Sequence, residues 1–485
     1  MKRIISSIFV AATVATASAV VSVTPGDMSI SSLNVEREGN GLNISFVIDA
    51  SQVKMKSNEE VVVVPEITDG NQTVQMSPVT VAGRNRMYYH LRNDEGYVRG
   101  ENLFHNGKDA SYIPYSGSVP YRQWMNLSQL RLTYTYAGCA NCSVGGSADQ
   151  SLATIDMRPA FFDAEYVYTR PKSEGIKSRK ESGSAYVDFP VNVSDIDPEF
   201  RNNASELAKI SQTIDRVRND RDYTITSIFI KGYASPEGPY DHNEKLAKGR
   251  TESLVGYVRD SYSLPRSVKF TSAYEAEDWD GLRKWVETSD LESRDGILAI
   301  IDDASLTPDE KDARIKREFP EEYPFLLKNV YPTLRHSDYT VNYTVREFTD
   351  VQQIVGLVRT APQKLGLNEF YLASETFTPG SDEFNEVFET AVRMYPDDEV
   401  ANLNAANAAM SRGDMVSARK YLDKAGNSGA SNYARGIYEA LNKNFEAAIR
   451  WFDKAKGVPQ AAEAAKQARL CIERPEGKVI ITEAK

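Results

Sequence analysis

Residues 228–250 read Ile228-Phe-Ile-Lys-Gly-Tyr-Ala-Ser-Pro-Glu-Gly-Pro-Tyr-Asp-His-Asn-Glu-Lys-Leu-Ala-Lys-Gly-Arg250. The run begins as an alternating strand, passes through a loop rich in glycine and proline, and continues as a helix. The loop from Gly232 to Gly238 leaves the backbone free to approach a ligand. The helix start beyond it is expected to present unpaired N–H groups and a positive dipole end to an anion. Asn243 is an N-cap candidate, with Asp241 as the alternative. From a helix starting there, Arg250 lies two turns in and can point back toward the loop. A guanidinium in that place offers a two-pronged donor to a carboxylate.

Outward from this motif, strands and helices alternate. Ala185 to Val193 predicts a strand, and Pro198 to Arg218 a helix with Leu207, Ile210, Ile214 and Val217 on one face. Thr224 to Gly232 predicts a second strand, Asn243 to Asp260 a second helix, and Val268 to Ala273 a third strand. An insertion near 276–330 carries helical stretches around Trp279 to Val286, Leu291 to Ile301 and Pro308 to Phe319. Asp338 to Glu347 closes the pattern as a strand.

The motif resembles the peptidoglycan-binding domain of the OmpA family, whose core pattern runs GHTDxxGxxxxNxxLSxxRA. Gly232, Gly238, Asn243, Leu246 and Arg250 stand at matching positions with matching spacing. The resemblance implies a βαβαββ fold over 184–347 and a pocket for a diaminopimelate residue of the cell-wall stem peptide. It further implies that a loop aspartate and the helix arginine engage the ligand's charged groups. Arg250 carries over, whereas the aspartate position holds Ser235. Tyr233 and Ala234 replace His and Thr, Ala247 replaces Ser, and Thr251 replaces Ala. Glu237, two residues beyond Ser235, is the expected substitute for the lost acid. The candidate peptidoglycan-binding set is therefore Gly232, Ser235, Glu237, Gly238, Asn243 and Arg250.

Both flanks differ in character. Residues 20–170 are β-rich: Leu42 to Ile48 alternates, Glu60 to Pro65 is a valine run ended by proline, and Thr73 to Ala82, Leu130 to Tyr136 and Phe161 to Tyr168 are further strand candidates. Short strands between turn signals predict a sandwich. Its tyrosines (Tyr88, Tyr89, Tyr97, Tyr112, Tyr115, Tyr121, Tyr134 and Tyr136) either fill that core or form a recognition face, core being the commoner outcome. The polar stretch 171–183 predicts a linker.

Residues 381–469 are helical and repetitive. Phe388 and Ala391 recur as Leu422 and Ala425 after 34 residues, then as Phe452 and Ala455 after 30. Ala418 and Ala448 stand four before the later anchors, and Gly413 sits at a turn. Thirty-four residues is the tetratricopeptide period, and such repeats stack to leave a concave surface. The fold class expected is thus multidomain α+β: an N-terminal β-sandwich, a central βαβαββ OmpA-like domain and a C-terminal α-helical repeat.

The N-terminus reads as an export signal over 1–19: Lys2 and Arg3, an apolar run from Ile4 to Val14, then Ala17-Ser18-Ala19. No later apolar run of 18 or more residues occurs, so no transmembrane helix is expected in the mature chain. The 485 residues carry 57 Lys+Arg against 68 Asp+Glu, a formal charge of −11 that argues against nucleic acid as a partner. Three cysteines exclude a disulfide-dense scaffold. Cys139 and Cys142 form a CxxC in loop-like sequence, expected as a local disulfide, and Cys471 is expected as a small buried apolar residue. No GxSxG, HExxH or Walker loop is present, and His90, His105, His242 and His336 fall in unrelated contexts that predict exposed roles. No catalytic residues, metal or cofactor are therefore expected. The expected partners are a peptidoglycan stem peptide and, through the helical repeats, envelope proteins. The expected place is the periplasm or the outer membrane of a Gram-negative bacterium. The alternative is an assembly or adhesion scaffold whose central domain no longer binds wall.

Overall fold

The computed structural model describes residues 20–23, 28–138, 143–190, 193–262 and 264–484. The expected signal segment and the Cys139–Cys142 pair lie outside the described residues. The chain is mixed α+β, with its sheets almost entirely in the first 345 residues and a run of helices after them.

The strands and first helix of the N-terminal part are β1 (Val20–Val23), β2 (Met28–Glu38), β3 (Gly41–Asp49), β4 (Glu60–Thr68), β5 (Thr73–Gln75), β6 (Val79–Ala82), α1 (Arg84–Asn93), β7 (Leu103–His105), β8 (Ile113–Pro120), β9 (Leu127–Ala137) and β10 (Ser143–Asp156). Next come β11 (Lys177–Ala185), α2 (Asn203–Arg218), β12 (Tyr223–Tyr233), α3 (Tyr240–Ser261) and β13 (Lys269–Glu275). The insertion follows as α4 (Trp279–Glu287), α5 (Arg294–Ile301), α6 (Pro308–Glu318) and the single turn α7 (Tyr323–Phe325), and β14 (Ser337–Val345) closes this part. The helical run is α8 (Val351–Thr360), α9 (Leu367–Ser374), α10 (Asp382–Met394), α11 (Glu399–Ser411), α12 (Met415–Lys424), α13 (Gly429–Leu441), α14 (Phe445–Lys454) and α15 (Ala461–Glu473), with β15 (Ile480–Glu483) last.

Two compact units share these elements: residues 1–167 with 426–485, and residues 168–425. In the first, one sheet runs β1-β2-β3-β8 and the other β15-β10-β9-β4-β6-β7, with β5 on β4. Strand alternation explains both. Leu42, Ile44, Phe46 and Ile48 of β3 and Leu130, Leu132 and Tyr134 of β9 all turn to one shared core. Each such side chain contributes about 1.5–3 kcal/mol by leaving water. The tyrosines divide: Tyr115 and Tyr134 are buried, whereas Tyr88, Tyr89 and Tyr112 are exposed.

His90 departs from its expected exposed role, and chemistry explains why. It is buried on α1, its Nε2 against Glu60 and its Nδ1 2.7 Å from Asp94 Oδ2, with Arg86 2.7 Å from the other Glu60 oxygen. Charges excluded from water are kept here because each has a partner. Cys471 is buried in α15, as its sequence context predicts.

Phe161 to Tyr168 forms no strand. Phe162 stacks on Phe452 at 5.9 Å, and Tyr433 Oη donates to the Glu165 carbonyl at 3.0 Å. In the second unit Tyr168 stacks on Phe388 at 5.0 Å, and Thr169 gives its N–H to, and accepts at its carbonyl from, the Asn404 amide at 2.8 Å each. Helical side chains satisfy this aromatic stretch and its backbone, so no sheet partner is needed.

In the second unit a four-stranded sheet runs β11-β14-β12-β13, with β12 and β13 parallel and the other pairs antiparallel. The first strand is Lys177–Ala185, eight residues earlier than the apolar run 185–193 predicts, and it draws on the stretch expected as a linker. Its alternation is of charged and small residues. Lys177 enters the interior only because Glu369 meets it at 2.8 Å. The insertion helices bury their own cluster around Leu282, Ile297, Ile315 and Leu326. Helices α10–α12 belong to this unit and α13–α15 to the other. The repeat anchors Phe388, Ala391, Leu422 and Phe452, with Ala418 and Ala448, are all buried.

Candidate functional site

Strand β12 carries the motif to the end of the sheet. There Tyr233 N–H donates to the His336 carbonyl at 2.8 Å and Ala234 N–H to the Glu275 carbonyl at 3.2 Å. The loop thus begins pinned beside β13 and the start of β14. Gly232 is required by close approach: a Cβ there would stand 2.1 Å from Thr251 Oγ1 on α3. Gly238 is required by its backbone, which takes φ +91°. Both glycines shape the loop without offering a ligand group.

Asn243 lies inside the helix and is not its cap, because α3 begins at Tyr240 behind Pro239. Its buried amide donates back into the loop, to the carbonyls of Ser235 and Glu237 at 3.1 Å each and to Glu277 Oε1 at 2.9 Å. The start of α3 is taken too. Tyr240 N–H donates to Asp309 Oδ1 at 2.8 Å, from α6 of the insertion. The expected anion seat at this helix start is therefore filled by an internal carboxylate.

The charged groups lie one step away. Ser235 is buried, and its Oγ accepts from Arg335 Nε at 3.0 Å. Arg335 also holds the half-exposed Glu237 carboxylate. Glu237 therefore faces a cation supplied by this chain. Arg250 has no described carboxylate within ion-pair distance. Its guanidinium lies 5.0 Å from the centre of the Phe189 ring, and its buried Nε has no hydrogen-bond partner. Burial, together with the positive charge of Arg335, pushes the Arg250 guanidinium below the ordinary arginine range.

Two buried acids adjoin the loop, Glu277 through Asn243 and Asp278 through its N–H to the Ala234 carbonyl. Burial raises the carboxyl of Glu277 above the usual range, although Asn243 and Trp279 donate to it. Burial raises Asp278 likewise, although it caps α4 by accepting from Gly281 N–H at 2.9 Å. His336 stacks on Tyr233 at 4.4 Å and stands 3.9 Å from Asp278. The Ser235 and Glu237 carbonyls accept from Asn243, and among the described residues Arg250 has no carboxylate within ion-pair distance.

The structure thus brings Ser235, Glu237 and Asn243 together at one end of the sheet, places Arg250 on α3 against Phe189, and gives Gly232 and Gly238 backbone roles. Spacing around the motif missed Arg335, Phe189, Glu277 and Asp309. Arg335 stands a hundred residues from Ser235, beyond the insertion, and only the pairing of β14 with β12 brings it back. Phe189 falls outside the strand Lys177–Ala185, although its apolar run predicts a strand there.

A family model described as a domain of unknown function (DUF3868) matches residues 3–95, from the expected export segment into the N-terminal β-rich part. No curated protein matches the chain.

Proposed function

We propose that the protein is a non-enzymatic component of a bacterial cell envelope that is tethered to peptidoglycan through an OmpA-like domain at 184–347. Its β-rich and tetratricopeptide-like parts engage other envelope proteins. The order β11-α2-β12-α3-β13-β14, with the helical insertion before the last strand, supports the βαβαββ likeness. The observation that carries the reading is Arg250, a partly buried guanidinium at the motif loop with no carboxylate of its own. A buried cation without a partner is costly, and a ligand acid removes that cost. Among the described residues no helix is long and apolar enough to cross a membrane.

The second reading, a scaffold that no longer holds wall, draws on Ser235, whose hydroxyl is already taken by Arg335. Co-sedimentation of the mature chain with purified sacculi separates the two. Tethering predicts retention that a soluble stem tripeptide competes away. A chain that stays in the supernatant at every sacculus concentration leaves the scaffold reading alone.

A further inference from the structure

We propose that this site takes a ligand with two acidic groups, one for Arg250 and one for Arg335, and that Glu237 is an internal counter-ion that the second acid displaces. The inference rests on the wall-binding reading above and names what the site selects.

Charge and exposure carry the argument. Arg335 sits on the loop at Ser235 and Glu237 and its positive charge is felt at Arg250, while the loop's carboxylate, Glu237, sits on Arg335. Arg250 is left without one. Arg335 and Glu237 are each close to half exposed, at 40% and 46% of their side chains, so an incoming acid can reach the pair. Among the described residues, Glu237 shares Arg335 with the Ser235 hydroxyl, a neutral acceptor. Exchange of one carboxylate for another therefore keeps Arg335 paired throughout.

An ammonium group fares differently. The Ser235 and Glu237 carbonyls already accept from Asn243, and the Ser235 hydroxyl accepts from Arg335. Glu277 already accepts from Asn243 and Trp279, and burial disfavours its ionised form. Glu237 is the exposed carboxylate of the loop. An ammonium there would compete with Arg335 for that carboxylate and add positive charge where Arg335 already depresses Arg250. The position that the motif reserves for an acid thus presents a guanidinium, and the site reads acids on both sides. The start of α3, filled by Asp309, plays no part in this.

The test is calorimetric titration of the full mature chain with three probes: the tripeptide L-Ala-γ-D-Glu-meso-diaminopimelate, the same peptide acetylated on its free side-chain amine, and the same peptide with lysine in place of diaminopimelate. Acetylation should change the Kd by less than about threefold, and loss of the diaminopimelate side-chain carboxylate, the acid assigned to Arg335, should weaken it by about tenfold or more. Glu237→Gln, a change at an exposed side chain, should tighten the first probe by about threefold or more. Arg335→Ala should bring the first probe down to the level of the lysine peptide. A tenfold loss on acetylation, weaker binding by Glu237→Gln, or equal affinity for the lysine peptide overturns the two-acid site while sacculus retention still upholds tethering. Absence of binding to all three probes and to sacculi overturns both.

Discussion

Ser235 Oγ accepts a hydrogen bond from Arg335 Nε at 3.0 Å, across a hundred residues of chain. The contact joins the motif loop to the segment that leaves the insertion and enters β14. It also brings in a second cation whose charge is felt at Arg250. The consequences extend from this loop to the supports of each unit.

Gly232 and Thr251 test how α3 is held against β12. A methyl at 232 would meet the stiff Thr251 side chain, whose hydroxyl is fixed to the Ala247 carbonyl at 2.6 Å. Gly232→Ala should cost about 1–3 kcal/mol in chemical denaturation, as overpacking does. Adding Thr251→Ala should return most of that loss, because the two sites share one space. Independent, additive losses would show that the close approach is not the cause.

The buried pair Lys177–Glu369 ties β11 to α9, with Glu369 also accepting from Phe348 N–H at 2.8 Å and Gly366 N–H at 2.7 Å. Lys177→Met should destabilise the second unit by about 3–5 kcal/mol, since it strands a buried carboxylate. The double change Lys177→Met with Glu369→Leu should lose less than the single one. Urea unfolding of the four members of the cycle checks this, and a double variant that loses as much as Lys177→Met alone, or more, would contradict it.

Two carboxyls predict opposite responses to pH. Glu60 is raised by burial, but hydrogen bonds from Arg86 and His90 outweigh this and leave it below the usual carboxylate range. Its stabilising effect is full above the unfolded value and fades as pH falls through the lowered one. Glu277 is raised by burial, so the folded state is penalised above its folded value and relieved as pH falls. Melting curves from pH 8 to pH 4 should therefore show Glu60→Gln losing most against wild type at neutral pH, with the gap closing in acid. Glu277→Gln should compare best with wild type at pH 8 and worst in acid. Parallel curves for either variant would remove that carboxyl from the balance.

The strand–loop–helix of 228–250 was legible because two periodicities meet there, two-residue in Ile228 and Ile230 and helical beyond Tyr240. The β3 and β9 alternation was legible for the same reason. What sequence concealed depended on distance. Strand β11 is polar on both faces, so nothing in Lys177–Ala185 advertises it until Glu369 is seen to neutralise Lys177. Asn243 has the composition of a cap, but Asp309 serves the helix start and frees that amide to hold the loop. Arg335 has no local pattern at all. Its partner is defined by sheet register, which hydrophobic spacing does not report across an inserted subdomain.

Arg250 is the direct test of the whole account. Methionine matches its length and packs against Phe189 without a charge, so Arg250→Met should melt at or above the wild-type temperature. The same variant should lose about ten- to a hundredfold in affinity for sacculi in co-sedimentation, the worth of one charged hydrogen bond. A variant that folds and is retained on sacculi as tightly as wild type would contradict the claim that this guanidinium holds the wall.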